Sequence, residues 1–308
     1  MSDIKVRSLL HVRYAAPDLQ RMRAFLLDFG MQDAAPSHDG ALRMRGSGAA
    51  PFIHETIESE PKFLGLALEA NDVGDLERLA ARNGAMVRDY DKPGGGKVVT
   101  LIDPNGFQID VVAGYARLTP SAAGGDAWNT AARHVRVDAA KQVASRPSQV
   151  VRLGHVVLRA NNMAGSHAWW RDRFGMLISD KVLAPNGDFE IAFMRCDRGD
   201  EPVDHHSVCL GATEGAPDIH HCAYEVADMD DLMAGKDYLT RAGHTHRWGV
   251  GRHYLGGQVF DYWSDPWGNY IEHWTDGDLY TADVPMKVAD LETALGVQWG
   301  PATPPKDF

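Results

Sequence analysis

The sequence repeats itself, and the repeat decides which folds are open to it. Leu9-Leu10-His11-Val12-Arg13 runs into DLQRMRAFLLDFGM, and Leu153-Gly154-His155-Val156-Val157 runs into NMAGSHAWWRDRFGM. Each is an alternating strand followed by a helix ending in Phe-Gly-Met. A second pair also matches: PKFLGLALEANDVGDLERLAARNGA from Pro61 and PDIHHCAYEVADMDDLMAGKDYLTRAGH from Pro217. Both lead through a Gly-rich turn and a short apolar strand to an Asp-Pro-x-Gly turn, at Asp103-Pro104-Asn105-Gly106 and Asp265-Pro266-Trp267-Gly268. A strand, a helix, then several short strands thus occur four times, beginning near residues 6, 62, 151 and 218. That is an α+β chain of four βαβββ units, two to a domain.

The pattern predicts an N-terminal domain over residues 1–113, a connection over 114–149, a C-terminal domain over 150–280 and a tail over 281–308. The connection has a Gly-Gly pair and no sustained alternation, and DAWNTAARHVRVDAAKQVA within it suits a helix packed on either domain. The tail closes on VQWGPATPPKDF and reads as irregular, a cover for a site or for a subunit contact. With 308 residues, 44% of them hydrophobic, the chain can bury two cores. Its 31 basic against 42 acidic residues, a net charge of −11, argue against a nucleic-acid groove or an anionic membrane surface as partner. No stretch approaches the roughly 18 to 20 apolar residues of a membrane helix. MSDIKVRSLLHVRYAAPD, charged at positions 3, 5 and 7, does not read as a signal peptide. Cys196, Cys209 and Cys222 are odd in number without CxxC spacing, which suits buried thiols in a reducing compartment. A cytoplasmic protein is expected.

The tandem of paired units resembles the vicinal oxygen chelate superfamily. The resemblance implies two half-open, barrel-like domains of eight strands, each able to enclose a metal. In the C-terminal half, His155, His221 and Glu272 fall on strands, and in Gly154-His155-Val156-Val157-Leu158 and Tyr270-Ile271-Glu272-His273-Trp274 the candidate alternates with apolar neighbours. Two imidazoles and a carboxylate with three positions left open are the donor set of non-haem Fe(II) oxygen chemistry, and they suit Mn(II) as well. Nothing here favours zinc, which prefers a tetrahedral site. A lone strand His is more often a hydrogen-bonded structural residue. Here the chain supplies its own comparison, because the matching N-terminal positions are His11, Gly65 and Asp110, and Gly65 cannot ligate. The N-terminal site is therefore degenerate, and the triad is not simply what the fold demands. The Gly-His step at Gly154-His155 favours His221 over His220.

His206, expected on a strand of its own, lies 15 residues before His221, and His253 and Tyr262 lie 19 and 10 before Glu272. With GRHYLGGQVFDYWSDPWGNYIEHW, these spacings resemble the type I extradiol dioxygenases, which open catechols beside the two hydroxyls. The resemblance implies that the catechol and O₂ meet on the metal, with Tyr262 and His253 bonded to the substrate oxygens. It places His206, a general acid, beside O₂, and it implies a homo-oligomer, a tetramer by analogy. Alternation turns His205, His220 and His273 to the opposite face, and His167, His244 and His246 are read as surface residues. Trp248, near the His253 loop, is a candidate substrate contact. Arg247 and Arg252 flank that loop without forming a cationic pair for a carboxylate, so a neutral alkyl-, aryl- or hydroxyl-substituted ring is expected. Two rivals share the architecture. A glyoxalase-like isomerase or transferase would need a fourth protein ligand, and a non-catalytic binding protein would not need the full triad.

Overall fold

The computed structural model describes residues 2–36, 38–121, 124, 128–184 and 186–305. The first half consists of β1 (Ser8–Ala16), α1 (Leu19–Asp28), β2 (Gln32–Asp33), β3 (Leu42–Arg45), β4 (His54–Glu58), β5 (Lys62–Glu69), α2 (Val73–Asn83), β6 (Arg88–Asp89), β7 (Lys97–Ile102) and β8 (Gln108–Ala113). Its eight strands form one sheet in the order β2-β3-β4-β1-β5-β8-β7-β6. The second half opens with β9 (Val150–Ala160), α3 (Met163–Phe174), β10 (Leu177–Leu183), β11 (Phe189–Arg195), β12 (Val203–Asp204), β13 (Val208–Ala212), β14 (Asp218–Val226) and α4 (Met229–Arg241). It continues with β15 (His246–His253), β16 (Val259–Ser264), β17 (Tyr270–Thr275), β18 (Leu279–Tyr280), β19 (Lys287–Ala289), α5 (Leu291–Leu295) and β20 (Val297–Trp299). Its main sheet runs β19-β10-β11-β13-β9-β14-β17-β16-β15-β20, while β12 and β18 pair separately.

Local chemistry fixes the elements. The Asp18, Asp72, Asn162 and Asp228 side chains accept from the backbone N–H three residues on and start α1 to α4. Such caps contribute about 1 kcal/mol each. The two Asp-Pro-x-Gly turns close alike: Asp103 accepts from the N–H of Asn105 and Phe107, and Asp265 from those of Trp267 and Asn269. The strand registers make the repeat quantitative. His11 pairs with Ala67 and Ala67 with Asp110, as His155 pairs with Ala223 and Ala223 with Glu272.

The halves pack through one apolar core, crossing over at their entries. Ile4 and Val6 donate backbone bonds to Arg173 and Phe174 at the end of α3, while Val150 donates to Gly30 after α1. At Gly30, φ is +106° and a Cβ would lie 1.9 Å from the Ser148 carbonyl oxygen, so no other residue fits. His273, expected on the face away from the site, is there: its Nε2 donates to the Phe29 carbonyl at 2.7 Å and its ring stacks on Phe29. His244, read as a surface residue, is half-buried and bonded to Asp28 across the same contact.

Two expectations are corrected. Among the described residues of 128–144 there is no helix, because that stretch packs little apolar surface to stabilise one. The tail is not irregular throughout, since β19 extends the sheet beside β10 and β20 pairs with β15. Edge strands of three residues take their order from the partner edge and leave little period to read. No helix of the described residues is long and apolar enough to cross a membrane.

The barrel of the first half is filled by charge. Glu55, 1% exposed, accepts from Arg13 Nε at 2.9 Å, Arg43 Nε at 2.7 Å and Lys92 Nζ at 2.7 Å. Burial opposes its ionisation, but Lys92 and the neighbouring cations prevail and hold the carboxyl at about 2, below its ordinary 4.5. This stabilisation is complete above pH 4.5 and is lost as pH falls toward 2, a change of about 3 kcal/mol. Glu55→Gln, which takes the carboxylate from Lys92 and leaves Arg43 with Asp39 and Arg13 with the more distant Asp110, is expected to lose about 3 to 5 kcal/mol at neutral pH. Urea unfolding between pH 6 and 2.5 should show a flatter acid limb for the variant. Equal slopes would remove Glu55 from the account.

Candidate active site and metal centre

His155, Ala223 and Glu272 lie in one row across β9, β14 and β17, with His221 two residues before Ala223 on the same strand. Neighbouring strands are about 4.8 Å apart. The imidazole and carboxylate therefore reach toward each other over the one-carbon side chain of Ala223. Gly154 allows this placement of β9, because a Cβ there would strike the Trp274 indole at 2.4 Å. The three ligand side chains are buried. His155 Nε2 and His221 Nε2 lie 3.2 and 3.3 Å from Glu272 Oε2 and 3.3 Å from each other. Donor atoms about 2.1 Å from one ion and at right angles around it stand about 3.0 Å apart, so the set fits one face of an octahedral cation.

An observation independent of spacing agrees. Glu272 is fully buried, yet neither carboxylate oxygen has a hydrogen-bond donor in acceptable geometry. A buried carboxylate without donors is unfavourable unless a cation takes their place. Burial raises its pKa, but His155 and His221 outweigh burial and hold it well below the usual carboxylate range. Among the described residues this is the only cluster of three or more metal-ligating side chains.

The triad opens onto a cavity of about 370 Å³ lined by His206, His253 and Tyr262 together with Val157, Ile191, Phe193 and Leu255. His206 packs over His155 at a centroid distance of 4.3 Å, and Tyr262 stands edge-on to His221 at 5.2 Å. His253 Nε2 and the Tyr262 hydroxyl are 3.2 Å apart. Burial lowers His253 to about 4 and His206 well below its ordinary 6.5, and it raises Tyr262 well above 10. At neutral pH both imidazoles are thus neutral and the phenol keeps its proton. Leu291, Ala294 and Leu295 of α5 also line the cavity, so the tail covers the site.

Three expectations need revision. Trp248 is not a cavity residue: it is 3% exposed, its indole donates to the Pro301 carbonyl at 2.8 Å, and it stacks behind Tyr262 and Phe260. His206 is not on a strand but in the bend before β13. His205 beside it is fully buried on the side away from the cavity, the opposite face that alternation assigns it. His220 lines the cavity beside His221, because the β9/β14 register slips between Ile219 and His221 and turns the extra residue inward. Burial, then His221 and Arg159, brings His220 down to about 2. Arg159, which no motif marked, lies four residues beyond His155 and so on the same face of β9, and it lines the cavity with Glu190. Arg247 and Arg252 are engaged elsewhere, with Tyr270 and Asp276.

The sequence profile of the Glyoxalase/Bleomycin resistance protein/Dioxygenase superfamily matches residues 152–273, the stretch that holds the triad. Metapyrocatechase 2 of Cupriavidus necator is 28% identical over 305 residues, 97% of this chain and 90% of that protein. Over nearly its whole length the chain is thus similar to ring-cleaving dioxygenases of catechols. A manganese-dependent 2,3-dihydroxybiphenyl 1,2-dioxygenase of Geobacillus genomosp. 3 is 23% identical, with 96% of this chain and 94% of that protein covered. The Mn(II)-bound glyoxalase of Novosphingobium aromaticivorans shares the fold at a TM-score of 0.77, with 22% identity and 97% and 92% coverage. In this chain the His155, His221 and Glu272 set is the site for a divalent metal, and two of the similar proteins are manganese proteins.

The cavity has a gap in its wall. Gly211 on β13 pairs with Ile191 on one side and Arg159 on the other, and an added Cβ would meet nothing within 4 Å. Its φ lies outside the left-handed region, so a larger residue is tolerated by the backbone. Gly211→Phe is expected to raise KM for ring-substituted catechols by about tenfold or more while sparing catechol itself. Equal effects on both would separate this gap from substrate choice.

Proposed function

We propose that this protein opens a substituted catechol beside its two hydroxyls, incorporating both atoms of O₂ at a mononuclear Fe(II) centre and giving a muconic semialdehyde-type product. Residues 150–280 are the catalytic domain in this reading, 1–113 a scaffold with a degenerate site, 114–149 the connection between them and 281–308 a covering tail. The observation that carries the proposal is the gathering of His206, His253 and Tyr262 around the open side of the His155, His221 and Glu272 triad in one cavity. Iron bound there supplies a centre through which catechol and O₂ exchange electrons; Mn(II) fits the same donors.

The chain's own side chains bind the ring and handle protons. Tyr262 keeps its hydroxyl proton and, with His253, offers hydrogen bonds to the oxygens of a substrate that enters as an anion. His206 rests neutral, so it first accepts a proton from a substrate hydroxyl and later returns one as a general acid. Val157, Ile191, Leu255, Leu291 and Leu295 give an apolar substituent its path to the mouth, and α5 limits the entry of water. Assembly as a homo-oligomer, a tetramer by family analogy, belongs to the same reading.

The experiment is anaerobic loading with Fe(II), then with Mn(II), followed by aerobic addition of alkyl-, aryl-, hydroxyl- and carboxylate-bearing catechols. Oxygen uptake and the yellow absorbance of the product should appear for apolar substituents first. A carboxylate-bearing ring turning over fastest would give Arg159 the leading part instead. Fully loaded protein that consumes oxygen with none of them would reject the proposal. A glyoxalase-like reaction would need a fourth protein ligand, and the cluster offers three.

A further inference from the structure

Behind His206, on the side away from the cavity, lies a chain of buried groups that no role above uses. His206 Nδ1 is 3.0 Å from His205 Nδ1, and His205 Nε2 is 2.6 Å from Asp180 Oδ2. Asp180 is 3% exposed, His205 0% and His206 5%. The backbone locks the arrangement: His205 N–H donates to the Asp278 carbonyl, the His205 carbonyl accepts from Ser179 Oγ, and Ser207 N–H donates to the Met194 carbonyl.

If each ring carries a single proton, the two contacts admit one arrangement. The Asp180 carboxylate can only accept, so His205 carries its proton on Nε2 and has a bare Nδ1. That bare nitrogen accepts, so His206 must donate from Nδ1. The remaining nitrogen of His206, Nε2, is then unprotonated. It has no hydrogen-bond partner among the described residues and belongs to a ring that lines the cavity.

We infer that Asp180 and His205 are positioning residues that hold His206 in its Nδ1–H tautomer and so present a bare Nε2 to the substrate. The inference rests on the proposed role of His206 as the group that exchanges protons with the catechol. The step balances within the chain: a substrate O–H bond breaks, an Nε2–H bond forms on His206, and the positive charge is held by hydrogen bonding through His205 to the Asp180 carboxylate. When His206 returns the proton the chain resets, with no other reactant.

The test reads the tautomer directly. Histidine labelled with ¹⁵N is observed by NMR in the metal-free protein and in the protein loaded with diamagnetic Zn(II). Wild-type His206 is expected to show a protonated Nδ1 and an unprotonated Nε2; the reverse pattern overturns the inference without reference to turnover. Asp180→Asn can donate from its amide to His205 Nε2, which reverses each bond and moves the His206 proton to Nε2. That variant is expected to lose roughly 10²- to 10⁴-fold in kcat, with KM changed by less than about threefold, because a misplaced proton disables the base while leaving the cavity intact. An unmoved tautomer, or kcat within twofold of wild type, overturns the inference. If Asp180→Asn does not fold, His205→Gln and His205→Leu decide. Gln can accept from His206 and donate to Asp180 and should keep kcat near wild type, whereas Leu should not; equal kcat for the two overturns the inference. If wild type turns over no catechol, the proposed function fails while the spectrum still reports the tautomer.

Discussion

Glu272→Gln is expected to abolish metal binding and turnover while leaving the metal-free protein folded. The amide fills the same volume, so the packing around this fully buried position survives. What it lacks is the negative charge and a carboxylate lone pair aimed at the ion. Loss of groups that merely hydrogen-bond to metal ligands weakens binding by about 10- to 100-fold, and loss of the only anionic ligand should exceed that. Wild type gains about 2.7 kcal/mol of stability when free metal reaches about 100 times Kd. In a thermal shift series with Fe(II) or Mn(II), the variant should show no such gain and the same metal-free midpoint within a degree or two. A metal-induced shift equal to wild type would remove Glu272 from the ligand set.

His206→Phe should separate binding from chemistry. The protein itself indicates that the fold accepts this residue, because the first half carries Phe52 at the matching position. Val12 N–H donates to the Ile53 carbonyl as Val156 N–H donates to that of Ser207, and Phe52 packs on His11 at 4.5 Å as His206 packs on His155 at 4.3 Å. Metal affinity and KM are therefore expected to stay within a few-fold of wild type. The proton acceptor is gone, and kcat should fall by roughly 10²- to 10⁴-fold. Stopped-flow measurement of catechol binding under nitrogen, then of product formation on mixing with O₂, would place the loss in the second phase. A variant that turns over normally would leave proton exchange to some other group.

How much of this could be read in advance depended on whether a residue's setting is local. The repeat, the triad and the degeneracy at Gly65 were legible because they depend on side-chain identity and on the period of two within a strand. The register later placed Gly65 opposite Gln108, where a Cβ would lie 2.0 Å from a carbonyl oxygen, so the position excludes any ligand, and not only the present one. His220 is misread by alternation because a bulge in β14 breaks the period of two, and a bulge leaves no mark in composition. Trp248 was misplaced because proximity in sequence to His253 does not fix where an indole points; the Pro301 carbonyl 53 residues away does. The charged filling of the first barrel was also illegible. Glu55 pairs with Lys92 from 37 residues away, and it matches Cys209, which lines the open cavity of the second.

The crossed entries of the two halves give the first one a use that ligand chemistry would not suggest. β9 begins at Val150, whose N–H is held by Gly30, while its carbonyl is taken by Ser47 and the next by Gly48. Five residues on, the same strand delivers His155. The first half is thus an alignment jig for the second, clamping the base of the strand that carries a ligand. A Cβ added at Gly30 or Gly46 would lie 1.9 or 2.2 Å from a carbonyl oxygen, of Ser148 or Val151, so a substitution at either is expected to disturb the strand that carries His155.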